Sequence, residues 1–509
     1  MAGGLFAPFR RGRCSVAGLW SKRSVKEIFE ASEPVGEREN GESVLPNQLK
    51  AFGWVQTVRH SKACSFLELN DGSTYHNLQV VIDHDKMTKE QKQQLLTGSA
   101  VEVSGQSVFF EQKKTGKRLP ELHCQSLVVT GASDEGYPLQ KKYHSREFLR
   151  EIPHLRPRSR RFAAIMRTRS RASLALQQYM QKEGFSQIHT PIITSSDCEG
   201  SGDLFAISAG KDKEKLFFNK PAYLGVSGQL HLEAFACSMS KVFTFGPTFR
   251  AEQSQTPQHL SEFWMLEPEL VNASLSDCVD LTRNLIVNAT RSVMENSSGD
   301  LDFLLEGSID EYQRRMKQSI DSGGPTSYAD TLAPSERTIQ HLTSPESYQV
   351  ITYDEAMSLL SKHSSALSTP VDYQEGPTRE QELYLVHNIF EGKPVFVLHY
   401  PRTQKAFYMK RSQGNCGTAA CMDLLVPIVG EVAGGSERED SLEVLIQNMQ
   451  EKGMGDTQEY DWYLDLRRYG SVPHAGFGLG FERYLQLITG TRNIRDVVAM
   501  PRAYQHCQL

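Results

Sequence analysis

Between Val242 and Glu269, apolar and polar residues alternate with a period of two on either side of a polar loop. Phe243, Phe245 and Phe249 fall on one face of the first run, with Thr244, Thr248, Arg250 and Glu252 on the other. The returning run places Phe263, Met265 and Glu267 together. A two-residue repeat sends side chains to alternate faces of a sheet. The segment therefore reads as a hairpin with an aromatic row for the core and an Arg-x-Glu aimed across the opposite face.

The same reading organises the rest of the chain. Residues 44–131 carry short alternating runs such as KAFGWVQTVRH, SFLELNDGS and LQVVIDHD, separated by turn signals such as Asn70-Asp71-Gly72-Ser73. Five strands in so short a span predict a small barrel of the OB type. Residues 132–157, with Pro138, Pro153 and Pro157, read as a hinge. A helical stripe of Phe162, Ile165, Met166, Leu176 and Met180 predicts a helix over Arg158–Lys182, stopped at Gly184, and then a strand ending at Thr190-Pro191. The remainder mixes strands and helices without a βαβ repeat or a GxGxxG, which excludes a Rossmann domain. Residues 292–346 are polar and punctuated by Ser, Pro and Gly, and read as an insertion.

Near the C-terminus, Gly476, Gly478 and Gly480 share one face of a strand, with Phe477 and Leu479 on the other, and Glu482-Arg483 open a helix. A face without side chains lets a flat ring lie against the backbone. Arg250 and Arg483 then offer two guanidinium forks on two elements, as an extended or bent triphosphate requires. Asp423 and Glu431 flank an apolar strand and suit Mg²⁺, which takes few protein carboxylates. Gly434-Gly435-Ser436 reads as a tight turn presenting Arg438. On the barrel, Arg59, Lys62 and Phe66 suit a single nucleic-acid strand stacked on an aromatic; a buried Phe66 with merely solvated cations is the competing reading.

Composition adds limits. The 509 residues exceed one ordinary core and predict two or three domains. Lys and Arg number 56 against 61 Asp and Glu, so nucleic-acid binding must rest on local patches. Nine scattered cysteines without CxxC pairs exclude a zinc cage and point to reduced thiols. No apolar run reaches the ~20 residues of a membrane span. The first 26 residues hold Arg10, Arg11, Arg13, Lys22, Arg23 and Lys26 and no acid, the composition of a mitochondrial transit peptide; a basic RNA-touching arm is the alternative. Residues 1–43 are accordingly set outside the fold, as presequence and linker.

In order along the chain, the helix before Pro191, then Phe249-Arg250-Ala251-Glu252 with its hairpin, then Gly478-Leu479-Gly480-Phe481-Glu482-Arg483, resemble the three signature motifs of class II aminoacyl-tRNA synthetases. The barrel marks the subgroup for aspartate, asparagine and lysine. Within it, CEGSGDLF (198–205), AYLGVSGQLHLEAF (222–235) and VGEVAGGSERE are most similar to the asparaginyl enzymes of mitochondrial type. Aspartyl enzymes usually carry a lysine where this chain has Leu232, followed by Glu233; losing a cation there suits a neutral amide.

The resemblance implies an α+β fold, with the barrel as anticodon reader (Arg59, Phe66) and residues 158–509 as a catalytic domain on a mainly antiparallel sheet flanked by helices. It implies a homodimer in the mitochondrial matrix, using ATP and Mg²⁺ to join asparagine to tRNA(Asn). Arg250 would hold the α-phosphate and Arg483 the γ-phosphate. Phe263 and the glycine face at Gly478 and Gly480 would hold adenine, with Glu252 orienting and His259 near the phosphate tail. Asp423 and Glu431 would carry the metal. Ser227, Gln229, Glu233 and Arg438 would meet the amino acid, with Glu199 on a closing loop. One departure stands out: the family usually has arginine before His259, where this chain has Gln258 after Pro257. An aspartyl-type enzyme, or a non-catalytic RNA-binding paralogue, is the alternative.

Overall fold

The computed structural model describes residues 23–32, 48–112, 116, 118–196, 198, 204–208, 216–322, 336–454 and 457–509. They form two compact units, one reaching Phe148 and including Arg158–Arg160, the other holding Leu149–Pro157 and Arg161–Leu509.

In the first unit β1 (Gln48–His60), β2 (Cys64–Asn70), β3 (Leu78–Asp83), β4 (Ala100–Glu111) and β5 (Arg118–Gly131) close a barrel in the order β1-β2-β3-β5-β4. Only β3 and β5 pair in parallel. Alternation fills the interior with Leu49, Ala51, Leu67, Leu69, Val80, Ile82, Val101 and Val103. Helix α2 (Lys89–Gln94) follows β3, with Thr88 and Gln91 forming a capping box.

Residues 23–32 pack with the barrel. Val25–Ser32 is a helix, α1, whose Val25 and Ile28 are fully buried in the barrel core. Asp71 accepts from the Val25 N–H at 2.9 Å and Ser73 from the Lys26 N–H at 3.0 Å, so the barrel itself caps the helix. Composition could not show this, because three apolar residues, Val25, Ile28 and Phe29, carry the docking. The expected exclusion of residues 1–43 is corrected at this point; residues 1–22 and 33–47 lie outside the described residues. The expected hinge holds α3 (Arg146–Glu151), within which the change of unit falls.

The second unit is built on an eight-stranded sheet. Its strands are β6 (Ser186–Gln187), β9 (Lys241–Phe249), β10 (Glu262–Val271), β11 (Gln349–Thr352), β12 (Val395–Leu398), β15 (Cys421–Val426), β16 (Gly430–Glu437) and β17 (His474–Gly480), in the order β11-β12-β15-β16-β17-β10-β9-β6. Pairing is parallel only at β11–β12 and β6–β9. Two small antiparallel pairs stand apart: β7 (Ile193–Thr194) with β8 (Tyr223–Leu224), and β13 (Arg411–Ser412) with β14 (Asn415–Ala419). The strand expected to end at Thr190-Pro191 is the two-residue β6, ending earlier.

Helices α4 (Arg160–Lys182), α6 (Leu275–Ser322) and α12 (Phe481–Thr489) pack on the sheet through Leu176, Leu285 and Leu485. The expected insertion at 292–346 is part of this packing where described. Helix α6 continues past a kink at Ser297, and Leu301, Leu304 and Leu305 enter the main core, as do Ile339 and Leu342 of α7 (Glu336–Thr343). A narrow stripe at positions i, i+3 and i+4 suffices to dock a helix whose other faces are polar, and average composition hides it. Also present are α5 (Gln229–Met239), α8 (Tyr353–Lys362), α9 (Arg379–Tyr384) with a π-helical continuation at Leu385–Ile389, α10 (Leu442–Glu451) and α11 (Asp461–Arg468). Among the described residues no helix is long and apolar enough to cross a membrane.

Candidate active site

The β9–β10 hairpin pairs Phe263 with Thr248, Met265 with Gly246 and Glu267 with Thr244, and β10 pairs in turn with β17, Met265 opposite Gly480. This register brings Arg250, Glu252, His259, Phe263, Met265, Glu431, Gly478, Gly480 and Arg483 around one cleft. All the residues expected at the nucleotide therefore line one space. The Arg250 guanidinium carbon lies 5.5 Å from the Phe263 ring centroid, and its Nη1 lies 3.9 Å from Glu252. Arg483 donates to the Glu431 carbonyl at 2.9 Å and approaches its carboxylate at 3.4 Å.

Burial lowers the His259 pKa; Glu252 opposes this and the Arg483 and Arg250 charges add to it, so the imidazole is neutral at neutral pH. Its Nδ1 meets Ser254 and Thr256 oxygens at 3.0 and 2.5 Å. The unusual loop residues have a structural use. The Pro257 carbonyl accepts from the Ile494 N–H at 2.9 Å, and Gln258 donates to the Arg492 carbonyl at 3.2 Å. They pin the loop to the C-terminal segment.

The Gly434-Gly435-Ser436 turn is not present: these residues lie within continuous β16. Glycine is required there because a Cβ on Gly435 would stand 2.6 Å from Phe477 Cβ, while one on Gly434 would lie 3.1 Å from both Asp423 Oδ1 and Glu431 Oε1. Asp423 and Glu431 thus sit on neighbouring strands rather than at the ends of one, brought together by a bulge at Leu424/Leu425.

Asp423 is tied to Lys405 Nζ at 2.6 Å, while 43% of the Glu431 side chain remains accessible through the cleft. Burial by itself would raise the Glu431 carboxyl, but Arg483, Lys405 and Arg250 outweigh it and hold the carboxyl low. Among the described residues no set of three or more His, Cys, Asp or Glu is disposed around a metal position. Two converging carboxylates, one of them open to the cleft, suit a hard cation that takes its remaining ligands from phosphate and water.

The residues expected at the amino acid divide. Ser227 lines an adjoining recess with Gly228, Thr244, Thr248 and Glu267, and its hydroxyl donates to Glu267, which also accepts from the Gly228 N–H at 3.1 Å. Gln229 and Glu233 are corrected from wall to foundation. Glu233 is fully buried and accepts from Gln229 at 3.0 Å, Tyr463 at 2.8 Å and Arg467 at 2.7 Å, with His474 at 3.0 Å. Its side chain is wholly inaccessible and so is closed to a ligand. The amphipathic spacing missed this because the partners come from α11 and β17, more than 200 residues away in the chain.

Leu232 is likewise buried, packed with Ala236 and Val242, and does not face the recess. Arg438 is only 3% exposed and pairs with Glu269, donating also to Ser436 at 2.7 Å. Glu269, not among the expected site residues, shares the period-two face of Glu267. Glu199 lies outside the described residues. On the barrel, exposed Arg59 lies over half-buried Phe66 with its guanidinium carbon 4.9 Å from the ring centroid; the β1–β2 register pairs them directly. Lys62 is exposed nearby.

Residues 145–504 match the family model described as tRNA synthetases class II (D, K and N). The chain is 42% identical over 488 residues to an asparagine–tRNA ligase of Microcystis aeruginosa, covering 94% of this chain and 98% of the relative. It is 39% identical over 476 residues to a probable mitochondrial asparagine–tRNA ligase of Dictyostelium discoideum, covering 92% and 95%. Its fold matches asparaginyl-tRNA synthetase of Pyrococcus horikoshii, solved with asparaginyl-adenylate, with a TM-score of 0.78 and 28% identity over 96% of this chain and 100% of that one. The chain belongs to the class II aminoacyl-tRNA synthetases, in the subgroup of aspartate, lysine and asparagine enzymes.

Proposed function

We propose that this protein is an asparagine–tRNA ligase that activates asparagine with ATP and transfers it to tRNA(Asn). The observation that carries the reading is the convergence of Arg250 and Arg483 from two elements on one cleft beside Phe263 and Glu431, in a chain of this family. The asparagine carboxylate attacks the α-phosphorus of ATP; the bond to the bridging oxygen breaks and pyrophosphate leaves. A ribose hydroxyl of the tRNA end then attacks the adenylate carbonyl, and AMP leaves.

Positioning and charge stabilisation dominate such steps. Arg250 holds the α-phosphate, Arg483 the γ-phosphate, and Phe263 stacks on adenine above Gly478 and Gly480. Asp423 and Glu431 would hold Mg²⁺, which supplies charge neutralisation at phosphate oxygens. The amino acid lies toward Ser227 and Arg438. The Arg438–Glu269 pair offers a donor beside an acceptor, which matches a carboxamide, whereas a carboxylate meets Glu269 as a like charge.

Arg59 and Phe66 stack the anticodon. A second copy of the chain covers the exposed apolar Ile192, Ile193, Phe217 and Phe218. The Arg-rich first 22 residues and the mitochondrial relative support work in the mitochondrial matrix.

The test is ATP–pyrophosphate exchange with asparagine, aspartate and lysine side by side. Asparagine alone should drive it; aspartate as the better substrate would overturn the specificity. Arg250→Ala should lower the rate about 10²–10³-fold, the usual cost of one donor to developing charge. Near-wild-type exchange in that variant would remove Arg250 from the phosphate site.

A further inference from the structure

The turn between β15 and β16 has an unusual backbone: Ile428 has φ 70° and Gly430 φ 83°. A β-branched residue in the left-handed region is an outlier that its surroundings must hold in place. The restraint comes from α9 and its π-helical continuation. Arg379 Nη2 donates to the Ile428 carbonyl at 2.9 Å, and the Ile428 N–H reaches His387 Nε2 at 3.4 Å. Glu382 packs against the same turn: its Oε2 stands 2.5 Å from where a Cβ on Gly430 would lie. Both main-chain polar groups of Ile428 therefore end on side chains of one helical segment, and Glu382 of the same segment lies against Gly430. π-helical turns recur where such local geometry is used.

The contacts continue toward the cleft. The Glu431 carbonyl and carboxylate both engage Arg483. We propose that Glu382, assisted by Arg379, is a positioning residue of the nucleotide site: it fixes the peptide that presents Glu431 and, through Glu431, the guanidinium of Arg483. Neither Glu382 nor Arg379 lines the cleft. The proposal rests on reading that cleft as the ATP site. A purely structural role for Glu382 would weaken the whole catalytic unit. A positioning role separates ATP and Mg²⁺ from asparagine.

The full-length protein, Glu382→Ala, Glu382→Gln and Arg379→Met are compared by pyrophosphate exchange with ATP, Mg²⁺ and asparagine each varied, by direct calorimetric titration of ATP with and without Mg²⁺, and by thermal melting. Glu382→Ala should raise the ATP KM, the half-saturating Mg²⁺ and the ATP dissociation constant about tenfold, the usual size of losing one buried side chain that holds a turn. The asparagine KM should stay unchanged. Glu382→Gln should keep wild-type values, because it has the same size and fills the same space against Gly430. Arg379→Met, which leaves the Glu382 contact intact, should show a smaller rise of the same kind.

Unchanged ATP binding in Glu382→Ala overturns the proposal, as does a parallel rise of both KM values with a fall in melting temperature. If Glu382→Ala fails to fold, unchanged ATP binding in Arg379→Met overturns it instead. A wild-type protein inactive with asparagine would sink the proposed reaction, and the ATP titrations would still decide the role of Glu382.

Discussion

Glu233→Gln separates a foundation from a binding wall. Glu233 and Arg467 both have fully inaccessible side chains, paired at 2.7 Å, with Tyr463, His474 and Gln229 also directed at the carboxylate. The amide keeps the shape but removes the charge and turns an NH₂ toward a cluster of donors. Removing one partner of a buried pair leaves an uncompensated charge and costs about 3–5 kcal/mol. The catalytic unit has roughly 350 residues, whose unfolding entropy is about 0.7 kcal/mol/K, so its melting temperature should fall by about 4–7 °C.

The pH dependence has a definite sign. Burial by itself would raise the Glu233 carboxyl, but Arg467 and His474 outweigh it and hold it well below its ordinary value of 4.5. A depressed folded pKa contributes stability that is fully present above the unfolded pKa and lost as pH falls toward the folded one. The gap between wild type and variant should therefore be constant at neutral pH and shrink below about pH 4.5. Adding Arg467→Met should recover part of the loss, because the orphaned cation is then gone. Thermal melts followed by circular dichroism across pH 3.5–8, with asparagine KM measured beside them, provide the check. An unchanged melt with a raised asparagine KM would refute the foundation role and return Glu233 to the pocket.

A Cβ on Gly476 would collide with the Glu269 carboxylate and the Pro268 carbonyl. Gly476→Ala should therefore cost about 1–3 kcal/mol in chemical denaturation and raise the asparagine KM; unaltered stability would show that the strand has room to shift. Phe66→Ala should raise the tRNA KM about 5- to 100-fold, the value of one stacked base, and leave pyrophosphate exchange intact. Equal losses in both assays would exclude a separate anticodon reader. Removing residues 1–32 should lower barrel stability by uncovering the site of Val25 and Ile28, which hydrogen exchange of β1 and β2 would report; unchanged exchange would separate the helix from the barrel core.

The barrel, the hairpin and the glycine-faced strand were legible in the chain because their information is local. A period of two fixes which face each residue takes, so Phe243 and Phe245 had to enter the core while Arg250 and Phe263 shared the other side. The nucleotide residues were found for the same reason: each sits on a regular element or next to one. The docking of helix α1 and of the later part of α6 was not legible because a short apolar stripe carries each, and composition averages over that.

The sequence by itself determined the alternation, the family motifs and thus the chemistry on offer: two arginines, two carboxylates and an aromatic. Only the tertiary structure decided which polar residues remain open to ligands. Glu233 and Glu431 look alike in the chain, but one is sealed by Arg467, Tyr463 and His474 while the other opens onto the cleft beside Arg483. That difference is set by partners from distant elements. The free energy of burying a charge depends on those partners and not on the residue's own neighbours in sequence.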